Sequence, residues 1–265
     1  MTRRLWLHPG FHKTGTSSIQ HFLWSNRAAL ADRIDLVLLR HLRPVVQAFC
    51  RFSRTGSAAE LIDTVDHLDT AFAKAGADGS RDIVLSCEGL SGHLPGYPGV
   101  DSYALVPVLT ATLAGYVVER LPDVRPGVIF TTREAEPWLW SAWRHHLKGQ
   151  RLTEDWEAFR TRLSPSADLD AVIAQVAQAV DPLPVRMLPL ERAAAHPLGP
   201  GGAFLEALDY RVEGLDPVGH GNPGPKEAVW QDYLALNRSD LSPADIRARK
   251  DALARENGLG GWQRT

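Results

Sequence analysis

Two hydrophobic periods alternate along the chain. Short segments dominated by apolar residues have the length and composition of strands buried on both faces. These are Leu5-Trp6-Leu7, Asp35-Leu36-Val37-Leu38-Leu39, Asp82-Ile83-Val84-Leu85-Ser86-Cys87, Gly127-Val128-Ile129-Phe130-Thr131-Thr132 and Val185-Arg186-Met187-Leu188-Pro189-Leu190. Between them apolar residues recur at three- and four-residue spacings, the mark of amphipathic helices. Ile19, Phe22 and Leu23 predict a helix over 19–30, and Leu61, Val65, Leu68 and Phe72 a mainly helical stretch over 44–75. Leu105, Val108, Leu109, Leu113, Tyr116 and Val117 predict one over 103–121, and Leu169, Val172, Ile173, Val176 and Val180 one over 168–180. A further helix runs from Trp138 to Leu147, with Pro137 suited to its first position. Pro189 suggests an edge strand or a strand end. Ser242, Pro243 and Asp245 open a last helix in a capping-box pattern, and Asn257-Gly258 closes it.

Such alternation predicts an α/β fold, a three-layer sandwich with a mostly parallel central sheet, formed as a single domain over residues 1–265. Ligands then gather outside the carboxyl ends of the strands. Two long Gly/Pro-rich connections, 89–102 and 213–225, read either as binding loops or lids or as simple surface insertions.

The most informative segment lies at the first strand-to-helix junction, Gly10-Phe11-His12-Lys13-Thr14-Gly15-Thr16-Ser17-Ser18. A strand that turns through glycines into a helix aims free N–H groups and the positive end of the helix dipole at one point. Lys13 adds a full charge there, and the hydroxyls of Thr14, Thr16, Ser17 and Ser18 add donors. The segment reads as a phosphate or sulfate cradle; a Gly/Ser-rich turn that only caps a helix is the plainer alternative. It departs from the Walker A pattern, because Lys13 precedes Gly15 instead of following the second glycine.

The order K-T-G-T-S resembles the 5′-phosphosulfate loop of sulfotransferases that use 3′-phosphoadenosine 5′-phosphosulfate (PAPS). A second motif agrees with it. Arg133 stands at the carboxyl end of the 127–132 strand, and Ser141 follows eight residues later in the next helix. A guanidinium fork binds phosphate oxygens bidentately and a hydroxyl can fill a remaining acceptor. In the sulfotransferase family an Arg and a Ser at this spacing grip the 3′-phosphate of PAPS, and Arg133 and Ser141 match that pair. The resemblance implies a P-loop-like fold, PAPS as donor and no metal. His12, Lys13, Thr14, Gly15, Thr16, Ser17, Arg133 and Ser141 would line the nucleotide, and Lys226, after the second Gly/Pro-rich connection, would close over it. The late Arg-Lys-Gly signature of the cytosolic eukaryotic enzymes does not occur.

Transfer of a sulfuryl group needs a base for the acceptor proton and cations or donors for the charge that moves. Glu88 follows the 82–87 strand and should reach the same sheet edge as the cradle, which makes it the leading base; an ion-paired or helix-capping glutamate is the competing reading. His12 is the rival, and His93 a weaker third choice. The pair His145 and His146 reads as surface or structural groups, and Trp138, Trp140 and Trp143 as core. The strand ending in Arg133 offers a cation where magnesium-dependent phosphoryl transfer wants an acid. PAPS without a metal therefore fits better than ATP, leaving a small-molecule kinase as the runner-up and a non-catalytic nucleotide-binding protein as the third reading.

Composition narrows the partners. The 265 residues carry a formal net charge of −2, which disfavours nucleic acid and acidic membranes, although a positive pocket remains compatible with it. Two cysteines, Cys50 and Cys87, give no zinc spacing and no disulfide framework. No apolar run approaches the roughly 20 residues of a membrane span, and the chain enters a strand where a signal peptide would stand. The expected setting is the cytoplasm, as for soluble bacterial members of the family, with a small-molecule or glycan acceptor.

Overall fold

The computed structural model describes residues 3–77, 79–218 and 227–257, with the side chains of 227 and 228 left out. Strand β1 (Arg3–His8) leads through the cradle loop into α1 (Thr16–Ser25) and the short α2 (Arg27–Leu30). Strand β2 (Ile34–Leu38) runs into α3 (Leu39–Thr55) and α4 (Thr64–Ala75), and β3 (Asp82–Ser86) is followed by α5 (Val106–Arg120). Strand β4 (Val124–Thr132) precedes α6 (Ala135–Gly149), α7 (Trp156–Leu163) and α8 (Leu169–Ala179). Strand β5 (Val185–Pro189) is followed by α9 (Leu190–Ala194), α10 (Gly199–Ala207), α11 (Glu227–Arg238) and α12 (Pro243–Glu256).

Among the described residues the strands form one sheet in the order β2-β3-β1-β4-β5, and every neighbouring pair is parallel. Side chains alternate between its faces. Leu5, Leu7, Ile83, Leu85, Val128 and Phe130 enter one core with helices α3 to α6 and α8, while Trp6, Val84 and Ile129 enter the other with α1 and α10. The strand order explains this division. Parallel crossovers keep one hand, so the direction in which the chain crosses the sheet decides which face its helices cover. Only the β1-to-β2 connection moves toward the β2 edge, and α1 lies on the face opposite α3 to α6. The chain therefore leaves β1 and its neighbour β4 in opposite directions, which opens a crevice at their carboxyl ends.

Element boundaries depart from the periodicity where a side chain or a glycine intervenes. The 19–30 helix breaks at buried Asn26, whose amide donates to the Asp216 carbonyl at 3.1 Å and accepts from the Asp216 N–H at 2.8 Å. The 44–75 stretch is two helices because Gly56, at φ 65°, ends α3. Pro137 is the third residue of α6 and not the first; its missing N–H is still one of the four that a helix start leaves unbonded. Pro189 does end the edge strand β5. Ser242 caps α12 by accepting from the Asp245 N–H at 3.2 Å, and Gly258 lies outside the described residues.

The 89–102 connection proves to be part of the core. Leu90, Leu94 and Val100 are buried, and the Pro95 carbonyl lies 2.8 Å from Nε2 of buried His146. Trp138 and Trp143 are buried as expected, with Trp140 stacked on Trp143 at 5.0 Å. Among the described residues no helix is long and apolar enough to cross a membrane.

Candidate functional site

The parallel register sets the floor of the cradle. Leu7 pairs with Leu85 on one side and with Val128 on the other, so β4 runs four residues beyond its last partner on β1, to Thr132. That overhang puts Phe130 and Thr131 under the loop. Phe11 stacks on Phe130 at 4.8 Å, and the Thr131 hydroxyl lies 2.8 Å from that of Thr14. Thr14 Oγ1 donates to the Phe11 carbonyl at 2.7 Å, and Thr16 Oγ1 donates to the same carbonyl at 3.3 Å. Both hydroxyls thus bond within the loop and to its floor. Only Ser17 and Ser18 carry exposed side chains at this turn.

What the loop does present is its backbone. Lys13, at φ 68°, and Gly15, at φ 90°, are left-handed on either side of Thr14, an alternation that turns successive N–H groups toward one concavity. Among the described residues the N–H groups of Lys13, Thr14, Gly15, Thr16 and Ser17 meet no acceptor. For a lysine this conformation costs on the order of 1–2 kcal/mol. At Gly15 a side chain would be strained by the left-handed backbone, and its Cβ would stand 2.6 Å from Cδ1 of Leu190, which would have to shift.

A second set of bonds anchors the floor. Fully buried His8 has Nδ1 2.8 Å from the Ser86 hydroxyl and Nε2 3.4 Å from that of Thr131, which ties β1, β3 and β4 together. Burial pushes the His8 imidazole down to about 3, so the folded protein holds it neutral. In the unfolded chain it takes up a proton near pH 6.5. Between these values the unfolded state binds the extra proton, so stability is full above pH 6.5 and falls as pH drops toward 3. The expected slope is about 1.4 kcal/mol per pH unit. Urea unfolding across that range should show His8→Gln losing this part of the slope; equal slopes would mean that His8 is not held neutral.

The predicted charged residues meet around the loop. Arg133 Nη1 donates to the Lys13 carbonyl at 3.3 Å. Burial first, then Arg144 and Arg133, hold the Lys13 ammonium below the usual lysine range, and Glu88 opposes them. Glu88 follows β3 in a short 3-10 turn and is half-buried. Its Oε2 accepts from Nε2 of Gln20 on α1 at 2.7 Å, and it makes no ion pair among the described residues. Ser141 is buried in α6, and no hydrogen bond joins it to Arg133. His12 is held at three points: its carbonyl accepts from Trp138 Nε1 at 2.9 Å, and both its N–H and its Nδ1 lie 3.1 Å from the Tyr103 hydroxyl. His93 stacks on Tyr97 at 3.8 Å, with its N–H donated to Ser53. Lys226 and residues 219–225 of the second Gly/Pro-rich connection lie outside the described residues.

Arg144 joins the site without belonging to either sequence motif. Its guanidinium lies 5.5 Å from the Trp140 ring and 5.3 Å from the Trp230 ring, and it makes no ion pair among the described residues. Burial, then Arg133, depress its pKa. The one signal for it in the sequence is its place one helical turn after Ser141 on the same face of α6. Lys13, Arg133 and Arg144 thus form a positive group with Glu88 at its edge, an arrangement suited to an anion carrying several charges.

Comparison of the chain with protein-family models, curated proteins and solved structures finds no match.

Proposed function

We propose that this chain is a sulfotransferase of P-loop-like fold, working in the cytoplasm, which moves a sulfuryl group from PAPS to a hydroxyl or amine of a small-molecule or glycan acceptor. The observation that carries this reading is the run of five N–H groups from Lys13 to Ser17 that meet no acceptor among the described residues, beside Lys13 and Arg133 and within the electrostatic reach of Glu88. Bound there, PAPS supplies an activated sulfuryl group on a phosphate leaving group. The loop N–H groups and Lys13 hold the phosphosulfate, while Arg133 and Ser141 hold the 3′-phosphate and orient the reacting sulfur. Glu88, steadied by Gln20, takes the acceptor proton as the acceptor oxygen bonds to sulfur and the bond from sulfur to the phosphate oxygen breaks. Lys13 neutralises the charge left on that oxygen. A sulfuryl group carries less negative charge than a terminal phosphoryl group, so donors and cations of this kind can serve it.

The experiment is a calorimetric comparison of adenosine 3′,5′-bisphosphate with AMP. The wild type should prefer the bisphosphate, and Arg133→Ala should erase most of the preference. A charge-assisted phosphate contact is worth about 1.5–3 kcal/mol, or roughly ten- to 150-fold in affinity. Equal affinity of the wild type for both nucleotides would sink the 3′-phosphate assignment.

A further inference from the structure

Four buried side chains under the cradle have a single way of sharing their protons. Ser86, His8, Thr131 and Thr14 are each fully buried, and their contacts run in line. Ser86 Oγ lies 2.8 Å from His8 Nδ1, and His8 Nε2 lies 3.4 Å from Thr131 Oγ1. Thr131 Oγ1 lies 2.8 Å from Thr14 Oγ1, which in turn lies 2.7 Å from the Phe11 carbonyl. Among the described residues these four side chains meet no other hydrogen-bond partner. A carbonyl only accepts, so the one hydroxyl proton of Thr14 goes to Phe11. Thr131 then donates to Thr14, which leaves the Thr131 oxygen to accept from His8 Nε2. Nδ1, left bare, accepts the Ser86 proton. The reverse order fails at both ends: the two threonine oxygens would face each other at 2.8 Å with no proton between them, and the Ser86 proton would be buried without an acceptor. The link from His8 to Thr131 is the long one, and the shorter contacts on either side of it fix its direction.

This chain of hydrogen bonds joins the end of β3 to the loop. It starts at Ser86, two residues before Glu88, and finishes at Thr14, between left-handed Lys13 and left-handed Gly15. Holding the Thr14 side chain therefore holds the turn on both sides of it. A left-handed lysine is costly by itself, and such a conformation persists where its surroundings over-determine it. We infer that His8 is the positioning residue of the cradle: it accepts at Nδ1, donates from Nε2 and through Thr131 locks Thr14, so that the turn is formed before any anion arrives. A preformed site loses no affinity to ordering its loop. Anion binding rests on the proposed function. The order of the chain and the preformed turn do not.

Nitrogen-15 NMR of protein labelled in the histidine rings tests the order without any ligand, with the His8 signals assigned through their contacts to the Phe204 ring, 4.8 Å away between centroids. Nε2 should be protonated and Nδ1 bare at neutral pH; a protonated Nδ1 overturns the inference. Backbone amide spectra test the preformed turn. The wild type should show one sharp set of signals for Lys13 to Ser17. Thr131→Val, which deletes the hydroxyl at nearly constant volume, should split or broaden them, and Thr131→Ser should restore them. A merely structural role would lower the melting temperature of Thr131→Val and leave its loop signals as in the wild type, a result that overturns the positioning role. Ser86→Ala opens the chain at its other end and is read the same way if Thr131→Val does not fold. In calorimetric titration with adenosine 3′,5′-bisphosphate, Thr131→Val should bind about tenfold more weakly than the wild type, as when the competent turn falls to about a tenth of the molecules, and Thr131→Ser within about threefold. Equal affinity of all three proteins would also overturn the positioning role. A wild type with sharp loop signals that binds no bisphosphate would instead count against the sulfotransferase reading and leave the positioning role standing.

Discussion

Glu88→Gln should slow sulfuryl transfer on the order of 10²–10⁴-fold, the usual contribution of a positioned general base, while nucleotide affinity and thermal stability stay near wild type. The amide occupies the same volume and can still meet Gln20, so packing after β3 is retained. Only the proton acceptor is lost. Steady-state rates with an acceptor, or PAPS hydrolysis as a proxy, measure the effect beside calorimetry for the nucleotide. A Glu88→Gln variant with full activity would remove Glu88 from the reaction and leave His12 as the candidate base.

Lys13→Ala should impair binding and turnover together. In the proposed reaction its ammonium meets the phosphosulfate in the bound state and the charge that develops on the leaving oxygen during transfer. Loss of one such donor typically lowers kcat on the order of 10²–10³-fold. Lys13→Arg should recover part of this, since a planar guanidinium on a longer stem cannot reproduce a compact ammonium in a tight left-handed turn. Rate and affinity measured on both variants separate the roles. Full activity in Lys13→Ala would show that the loop merely caps α1.

Much of this arrangement is legible in the amino-acid sequence. Strands buried on both faces announce themselves as apolar runs, and residues that follow such runs, Lys13, Glu88 and Arg133, fall at one sheet edge as the parallel topology requires. Other features depend on contacts that no local pattern encodes. The overhang of β4 beyond β1 decides that the Thr14 hydroxyl is bonded inward, and sheet register cannot be read from either strand alone. Asn26 ends α1 because a segment 190 residues away supplies partners for its amide. Gln20, Tyr103 and Arg144 reach the site from three different helices or loops, so their approach depends on tertiary packing. His8 is the exception, a polar residue closing an apolar strand directly before the loop, where an anchoring role could have been anticipated.

The positive group also gives Arg144 a testable place. It stands with Lys13 and Arg133; burial first, then their mutual repulsion, holds the pKa of Arg144 and of Lys13 down, and an anion bound among them would relieve the repulsion. A ligand carrying several negative charges at separate points satisfies this set better than a single phosphate does.

Calorimetric titration with adenosine 3′,5′-bisphosphate and with ATP, each with and without magnesium, tests whether the cradle, Arg133 and Arg144 together hold PAPS. The bisphosphate should bind more tightly than ATP, and magnesium should leave its affinity unchanged. Tighter binding of ATP that requires magnesium would instead identify the loop as the phosphate site of a kinase.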